Sequence, residues 1–225
     1  MVVKVKNQLG IGMTSERTRA RMLDRLRERG IRDERVLRAM GEVPRHLFVE
    51  EALSSRAYED TALPIGFGQT ISQPYVVALM IEALLAGGAS PGKALEVGTG
   101  CGYQAAVLAK LYKEVYSIER LKALHERARA NLLGLRLANL RLVHGDGYAG
   151  LEKAAPFGAI IVAAAAREAP EALLRQIAPG GRMILPLRAS RRDAQRLVLI
   201  ERSGRGLIET ELEPVRFVPM EAGKA

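Results

Sequence analysis

Two hydrophobic periods divide this chain into unlike halves. In the first, apolar positions recur at helical spacing among charged residues. Met22, Leu23 and Leu26 form a stripe within residues 14–29, with Ser15 or Thr14 placed to cap the start and Gly30 to end it. A second helix is predicted from Asp33 to Met40, presenting Val36, Leu37 and Met40 on one face, and Pro44 stops it. Residues 47–54 read as a short helix or turn. Tyr58 to Ser72, with Pro64, Gly66 and Gly68, reads as an irregular loop too particular to be mere connection. Pro74 sits near the first turn of a third helix that runs through Val76, Val77, Leu79, Met80 and Leu84 to Gly87.

From Lys93 the pattern changes to short apolar runs alternating with amphipathic stretches. Strands are predicted at Ala94–Val97, Glu114–Ile118, Leu140–His144, Ala159–Val162 and Arg182–Leu187. Helices are predicted at Tyr103–Leu111, Arg120–Gly134 and Pro170–Ile177. Arg196–Arg202 and Leu207–Leu212 read as later, antiparallel strands. Alternation of this kind implies an α/β fold: a doubly wound, mostly parallel sheet with helices on both faces. The expected organisation is an N-terminal helical segment with a site loop over residues 1–88, then a ligand-binding core with C-terminal strands over 89–225.

Composition narrows the picture. A chain of 225 residues, 48% hydrophobic, is enough for a real core. The apolar run from Ala159 to Ala166 is far short of the roughly 20 residues that a membrane span needs. Residues 1–12 show no signal-peptide stretch, and the single cysteine, Cys101, cannot form an internal disulfide, so the expectation is a cytoplasmic, monomeric protein away from membranes. The net charge of +9 is uneven: residues 1–45 carry twelve Lys/Arg against six Asp/Glu. A nucleic-acid partner is one reading of that bias. The absence of interleaved aromatics favours a solvated, arginine-rich helix face instead.

Candidate chemistry lies at successive strand ends. Leu95-Glu96-Val97-Gly98-Thr99-Gly100-Cys101-Gly102-Tyr103 is a glycine turn between the first core strand and its helix, where a ligand can lie against bare backbone. Its G-x-G-x-G spacing departs from the pyrophosphate-cradling fingerprint and begins with an acidic residue, Glu96, suited to an ammonium. Glu119 ends the second strand, where a carboxylate accepts from both hydroxyls of a ribose. A surface ion pair with Arg120 or Lys122 is the plainer reading of Glu119. Gly145-Asp146-Gly147 follows the third strand, with Asp146 placed to accept from an adenine amino group. Together these point to a nucleoside ligand bearing an amino-acid group and no pyrophosphate, which describes S-adenosyl-L-methionine.

Five segments resemble the protein-L-isoaspartate O-methyltransferase family: Val43-Pro44-Arg45-His46-Leu47-Phe48, the run from Ile65 through Gly66-Phe67-Gly68-Gln69-Thr70-Ile71-Ser72-Gln73-Pro74 to Tyr75, Glu96 to Gly100, Gly145 to Gly147, and Val215 to Pro219. The match is collinear over about residues 18–220, and the segment before the glycine turn is its specific part. The resemblance implies a Rossmann-like methyltransferase sheet. It also implies methyl transfer from S-adenosyl-L-methionine, leaving S-adenosyl-L-homocysteine, to the free α-carboxylate of L-isoaspartyl residues in damaged peptides and proteins. The ester then closes to a succinimide, so the pathway is repair. It further implies Ser72 as the active-site residue, and a cofactor site drawn from Gln69, Thr70, Ile71, Ser72, Glu96, Gly98, Thr99, Gly100, Glu119, Gly145, Asp146 and Gly147, with no metal.

The sequence departs from the family pattern at Cys101, where serine is frequent, at Gly158, where aspartate is common, at Ala163, where threonine is common, and at Arg188, where glycine often follows the fifth strand. Capping of the helix that begins at Pro74 is a second reading of Ser72. Two other functions stay open here. One is methylation of nucleic acid or a small molecule, although Ile160-Ile161-Val162-Ala163-Ala164 lacks an Asn/Asp-Pro-Pro-aromatic motif and no Pro-Cys nucleophile is present. The other is a cofactor-binding module without catalysis.

Overall fold

The computed structural model describes residue 10 and residues 12–87, 92–189 and 194–225. The boundary expected at 88/89, and Lys4 and Lys6 of the basic segment, lie outside these residues.

Local chemistry sets the N-terminal elements. Helix α1 spans Glu16–Glu28, and the Ser15 hydroxyl accepts from the Thr18 amide at its start. Met22 and Leu26 are its buried residues, and Gly30 leaves it with φ +104°, a conformation that costs glycine little. Helix α2 spans Glu34–Glu42, capped by Asp33, which accepts from the Arg35 amide. It buries Val36, Leu37, Ala39 and Met40. Two 3-10 segments follow, Arg45–Phe48 and Glu51–Arg56.

The stretch expected as an irregular loop contains a small hairpin. Strand β1, Leu63–Gly66, pairs antiparallel with β2, Gln69–Ile71. Its two connecting residues, Phe67 and Gly68, both have positive φ, 54° and 68°, the conformation required of a tight hairpin turn. Helix α3, Pro74–Leu85, follows.

The core sheet has seven strands in the order β5-β4-β3-β6-β7-β8-β9. They are β3 Lys93–Val97, β4 Glu114–Glu119, β5 Leu140–His144, β6 Phe157–Val162, β7 Ile177–Arg188, β8 Gln195–Ser203 and β9 Gly206–Val215. The first five are parallel, and β8 runs antiparallel to both of its neighbours. Helices α4 (Tyr103–Ala109), α5 (Lys122–Leu132) and α6 (Glu171–Gln176) link the parallel strands. Strand β7 begins five residues before the expected Arg182, directly after α6.

Side chains alternate across the sheet between two apolar clusters. Ala94, Ala159, Ile161 and Ile184 join the cluster that holds α1 to α5, whereas Leu95, Val97, Ile160, Val162, Met183 and Leu185 join the one beneath α6. Such runs are apolar at nearly every position because both faces are covered. Chain order reverses between β3 and β6, and ligands bind at the carboxyl ends of strands at such a switch point.

Candidate active site

The glycine turn closes over the end of β4. Gly98 and Thr99 both donate their amides to the Ile118 carbonyl, at 2.8 and 3.2 Å. Gly98, Gly100 and Gly102 have φ of 94°, 56° and 94°, so only glycine takes this path without strain. The turn exposes backbone to a cleft of about 890 Å³, counted with its open mouth.

Glu119 enters this cleft from the end of β4 and is 5% exposed. One carboxylate oxygen accepts from the Gly100 amide at 2.9 Å and the other from the Leu121 amide at 3.0 Å. The expected alternative, an ion pair with Arg120 or Lys122, is not what the structure shows: Arg120 pairs with Glu221 at 2.8 Å. Each oxygen of Glu119 keeps further lone-pair capacity for a ligand hydroxyl.

The β1–β2 hairpin brings Gln69, Thr70, Ile71 and Ser72 to the same cleft as Gly98, Thr99, Gly100, Glu119 and Gly147. Ser72 also borders an adjoining open groove, walled on its other sides by Arg29, Tyr75, Glu213 and Phe217. Thus Ser72 stands where the two spaces meet. It does not cap α3. The amide of Tyr75 is satisfied instead by Asp60 Oδ1 at 2.9 Å. Among the described residues the Ser72 hydroxyl has no partner.

Three expected site residues lie off the cleft wall. Glu96 is fully buried beneath the turn, where Ser117 Oγ donates to its Oε2 and Thr99 Oγ1 meets Ser117 Oγ at 2.5 Å. Burial pushes its carboxyl up to about 8, against the opposing effect of the Ser117 hydroxyl and the Gln104 amide. It is therefore a strut beneath the turn, in touch with the cleft-lining side chains Thr99, by way of Ser117, and Gln104. Asp146 accepts from the Tyr148 amide at 2.9 Å on one oxygen and from the Gly223 amide at 2.8 Å on the other. Gly145 donates its amide to the Glu119 carbonyl at 3.0 Å. Gly147 does reach the wall, and a Cβ there would collide with the Val97 side chain, so the loop after β5 lies close against β3.

The C-terminal segment supplies a wall that sequence reasoning left unassigned. Val218, Pro219, Met220 and Glu221 line the cleft. Val218 and Met220 bond reciprocally with Ala165 beyond β6, and Ala225 bonds with Arg120 and Lys122 beyond β4. The tail therefore crosses the mouth from one strand end to another. The family-like run Val215–Pro219 pointed to this segment, but nothing local says where it crosses. Tyr103, Gln104 and Leu124 also line the cleft unannounced.

The departures from the family pattern have different consequences. Gly158 begins β6 at the end opposite the cleft. Ala163 is in the wall, beside Gly98. Arg188 ends β7, its amide held by the Ala166 carbonyl. The thiol of Cys101 is buried, and burial raises it to about 11, so it is no nucleophile at neutral pH. Among the described residues no cluster of His, Cys, Asp or Glu is fit to hold a metal ion, and no helix is long and apolar enough to cross a membrane.

Comparison with known proteins adds an independent line. The family model described as protein-L-isoaspartate(D-aspartate) O-methyltransferase matches residues 17–225. A protein-L-isoaspartate O-methyltransferase of Dechloromonas aromatica is 63% identical over 214 residues, 95% of this chain and 98% of that one. One of Chromobacterium violaceum is 60% identical over 218 residues, 97% and 96% of the two chains. A solved protein-L-isoaspartate O-methyltransferase superposes with a TM-score of 0.82 at 29% identity, over 91% of this chain and 66% of that one. A Plasmodium falciparum candidate for the same activity, solved with S-adenosyl-L-homocysteine, gives 0.79 at 30% identity, over 89% and 97%.

Proposed function

The chain belongs to the protein-L-isoaspartate(D-aspartate) O-methyltransferase family, and from that premise we infer that its cleft transfers a methyl group from S-adenosyl-L-methionine to the free α-carboxylate of L-isoaspartyl residues in damaged proteins. The methyl ester then collapses to a succinimide, whose hydrolysis restores some normal aspartyl linkage. The observation that carries the assignment of roles is Ser72: a hydroxyl without a partner among the described residues, at the junction of the cleft and an adjoining groove.

The cleft suits the cofactor on three observations. Bare backbone at Gly98 and Gly100 admits a ligand where a side chain would stand. Glu119 offers a charged acceptor fixed by two backbone amides, suited to a ribose diol. Gly147 and the tail at Met220 bound the far side, and Asp146 is within one residue of that wall. When bound, S-adenosyl-L-methionine supplies an electrophilic methyl on a sulfonium.

Little acid–base work falls to the protein. An α-carboxyl group has a pKa near 3.5 and is already ionised at neutral pH. Ser72 donates a hydrogen bond that orients this carboxylate, and it forms no covalent link. Ile65, Ile71, Val97, Ile118 and Leu124 in the wall exclude water, which strengthens attraction between the reacting charges as they neutralise. Holding the two partners in line is worth up to roughly 7–11 kcal/mol.

Tyr75, Glu213 and Arg29 give the groove polar walls for an extended peptide. The arginine-rich N-terminal segment is largely committed to internal contacts: Arg19 to the Gly41 carbonyl, Arg25 to that of Tyr58, Arg27 to Asp24 and Glu34, Arg29 to Asp60, Arg35 to Asp33. This supports a peptide substrate over nucleic acid. We place the protein in the cytoplasm as a monomer. The test is transfer of a labelled methyl group to matched isoaspartyl and aspartyl peptides. Base-labile esters on the isoaspartyl peptide, with far less on its partner, are expected. Equal labelling, or base-stable N-methyl products, would overturn the assignment.

A further inference from the structure

Arg45 is the largest fully buried side chain among the described residues, at 0% exposure. Its Nε donates to the Ala57 carbonyl at 2.9 Å and its Nη2 to the Ser72 carbonyl at 2.8 Å. The guanidinium carbon lies 4.9 Å from the ring centroid of Tyr103, the first residue of α4 after the glycine turn and part of the cleft wall. Among the described residues no carboxylate pairs with it, and its Nη1 meets no acceptor. Asp60, the carboxylate that acts on it through space, is ion-paired with Arg29.

A buried cation without a counter-ion is expensive. Desolvation costs several kcal/mol per ion, and apolar residues of similar volume often replace buried charges without loss of stability. Packing alone is therefore a poor reason for arginine here. Its planar fork does what an apolar or ammonium side chain cannot: it reaches two carbonyls at once while its face stacks on an aromatic ring. One of those carbonyls belongs to the acceptor-side residue and the ring belongs to the donor-side turn.

We infer that Arg45 is a positioning residue for methyl transfer, tying Ser72 to the cofactor turn at Tyr103 so that acceptor and donor are held in line. The role rests on the assignment of Ser72 as the group that orients the substrate carboxylate. Arg45 touches neither reacting atom. Its contribution lies in the separation and angle between Ser72, just after the hairpin, and Tyr103 at the start of α4, joined by a hydrogen bond to the one and a cation–π contact to the other.

The test is a cycle of Arg45→Met, Arg45→Lys and Ser72→Ala, singly and in pairs, each checked for cofactor-site integrity by the stoichiometry of S-adenosyl-L-homocysteine binding. Misplacement by an ångström can cost about 100-fold in rate, so kcat on an isoaspartyl peptide should fall by about 10- to 100-fold in Arg45→Met. The Kd for S-adenosyl-L-homocysteine should stay within about threefold, a small change in binding free energy. Arg45→Lys keeps a cation but loses the fork, so it should recover only part of kcat. Ser72→Ala should cost much less in the Arg45→Met background than alone, because the two act as a unit. Wild-type kcat in folded Arg45→Met would overturn the inference. So would a parallel loss of kcat and cofactor affinity, or an equal Ser72→Ala penalty in both backgrounds. If Arg45→Met does not fold, Arg45→Lys carries the test: full kcat with lysine would equally overturn the role. A Ser72→Ala enzyme with normal kcat would sink the Ser72 assignment instead, while the kcat and Kd of the Arg45 variants would still report on Arg45.

Discussion

Replacing Glu119 separates the backbone support it gives Gly100 and Leu121 from the ribose contact proposed for it. It accepts from the Gly100 and Leu121 amides, and its remaining lone pairs face the cleft. Glu119→Ala leaves both part-buried amides without a protein acceptor, at up to about 1–3 kcal/mol each where water does not replace it. That is a sizeable part of a total stability of roughly 5–15 kcal/mol, so the alanine variant should melt well below the wild type. Glu119→Gln is the cleaner probe. Its amide oxygen can serve one of the two donors, while the charge is lost. A ribose diol bonded to a carboxylate is worth about 1.5–3 kcal/mol, against about 0.5–1.5 for a neutral acceptor. The difference predicts roughly tenfold weaker cofactor binding in Glu119→Gln, and up to about 150-fold in whatever fraction of Glu119→Ala folds. Isothermal titration with S-adenosyl-L-homocysteine, beside thermal melts of each variant, measures both duties. A folded Glu119→Gln protein with the wild-type dissociation constant would refute the ribose role.

Other expectations follow from single residues. Ser72→Ala removes a hydrogen bond to a charged acceptor, so kcat/KM on an isoaspartyl peptide should fall roughly 10- to 150-fold with little change in melting temperature. A lowered melting point with near-normal kcat/KM would return Ser72 to a structural role. Glu96 has a folded pKa of about 8, above its ordinary 4.5. The native state then holds a proton that the unfolded chain has released, so stability is full below about pH 4.5 and declines as pH rises towards 8. Glu96→Gln should gain on the wild type in melting temperature across that window, and a pH-independent difference would count against a protonated carboxyl. Cys101 should resist iodoacetamide in the native protein and react only on unfolding; rapid native alkylation would contradict its burial.

The central strands were legible because they are covered on both faces: Ala94–Val97 and Ala159–Val162 stay apolar at nearly every position. Helix caps at Ser15 and Asp33, or the glycine that leaves α1, are equally local. The hairpin at Leu63–Ile71 carries no strand signal in the sequence. Its strands are four and three residues long, one contains Pro64, and its register slips between Pro64 and Gly66. Period-2 evidence is too short there to separate strand from loop. Glu96 shows a different failure. Its place beside the glycine turn suggested a ligand contact, yet its neighbours Leu95 and Val97 face one apolar cluster while Glu96 itself lies fully buried. Alternation within a doubly covered strand already implies that burial.

The site's outer half was hidden for a more general reason. Residues that form the glycine turn find their partners within about one strand–helix unit: Gly100 bonds Glu119, 19 positions on. The tail does not. Gly223 reaches Asp146 across 77 positions, and Tyr75 reaches Glu213 across 138. Such contacts follow from how the last two strands return alongside β7, a pairing set by the whole sheet and not by any local period. The donor half of the cleft is therefore written in motifs, whereas its closure is written in topology. Asp146 lies on the boundary between them. Its position after β5 is local and was anticipated, but the Gly223 amide occupies an oxygen expected to meet adenine. Because a carboxylate oxygen can accept more than one hydrogen bond, Asp146 keeps acceptor capacity beside the Gly223 amide, and an adenine bound there as proposed would share Asp146 with the tail.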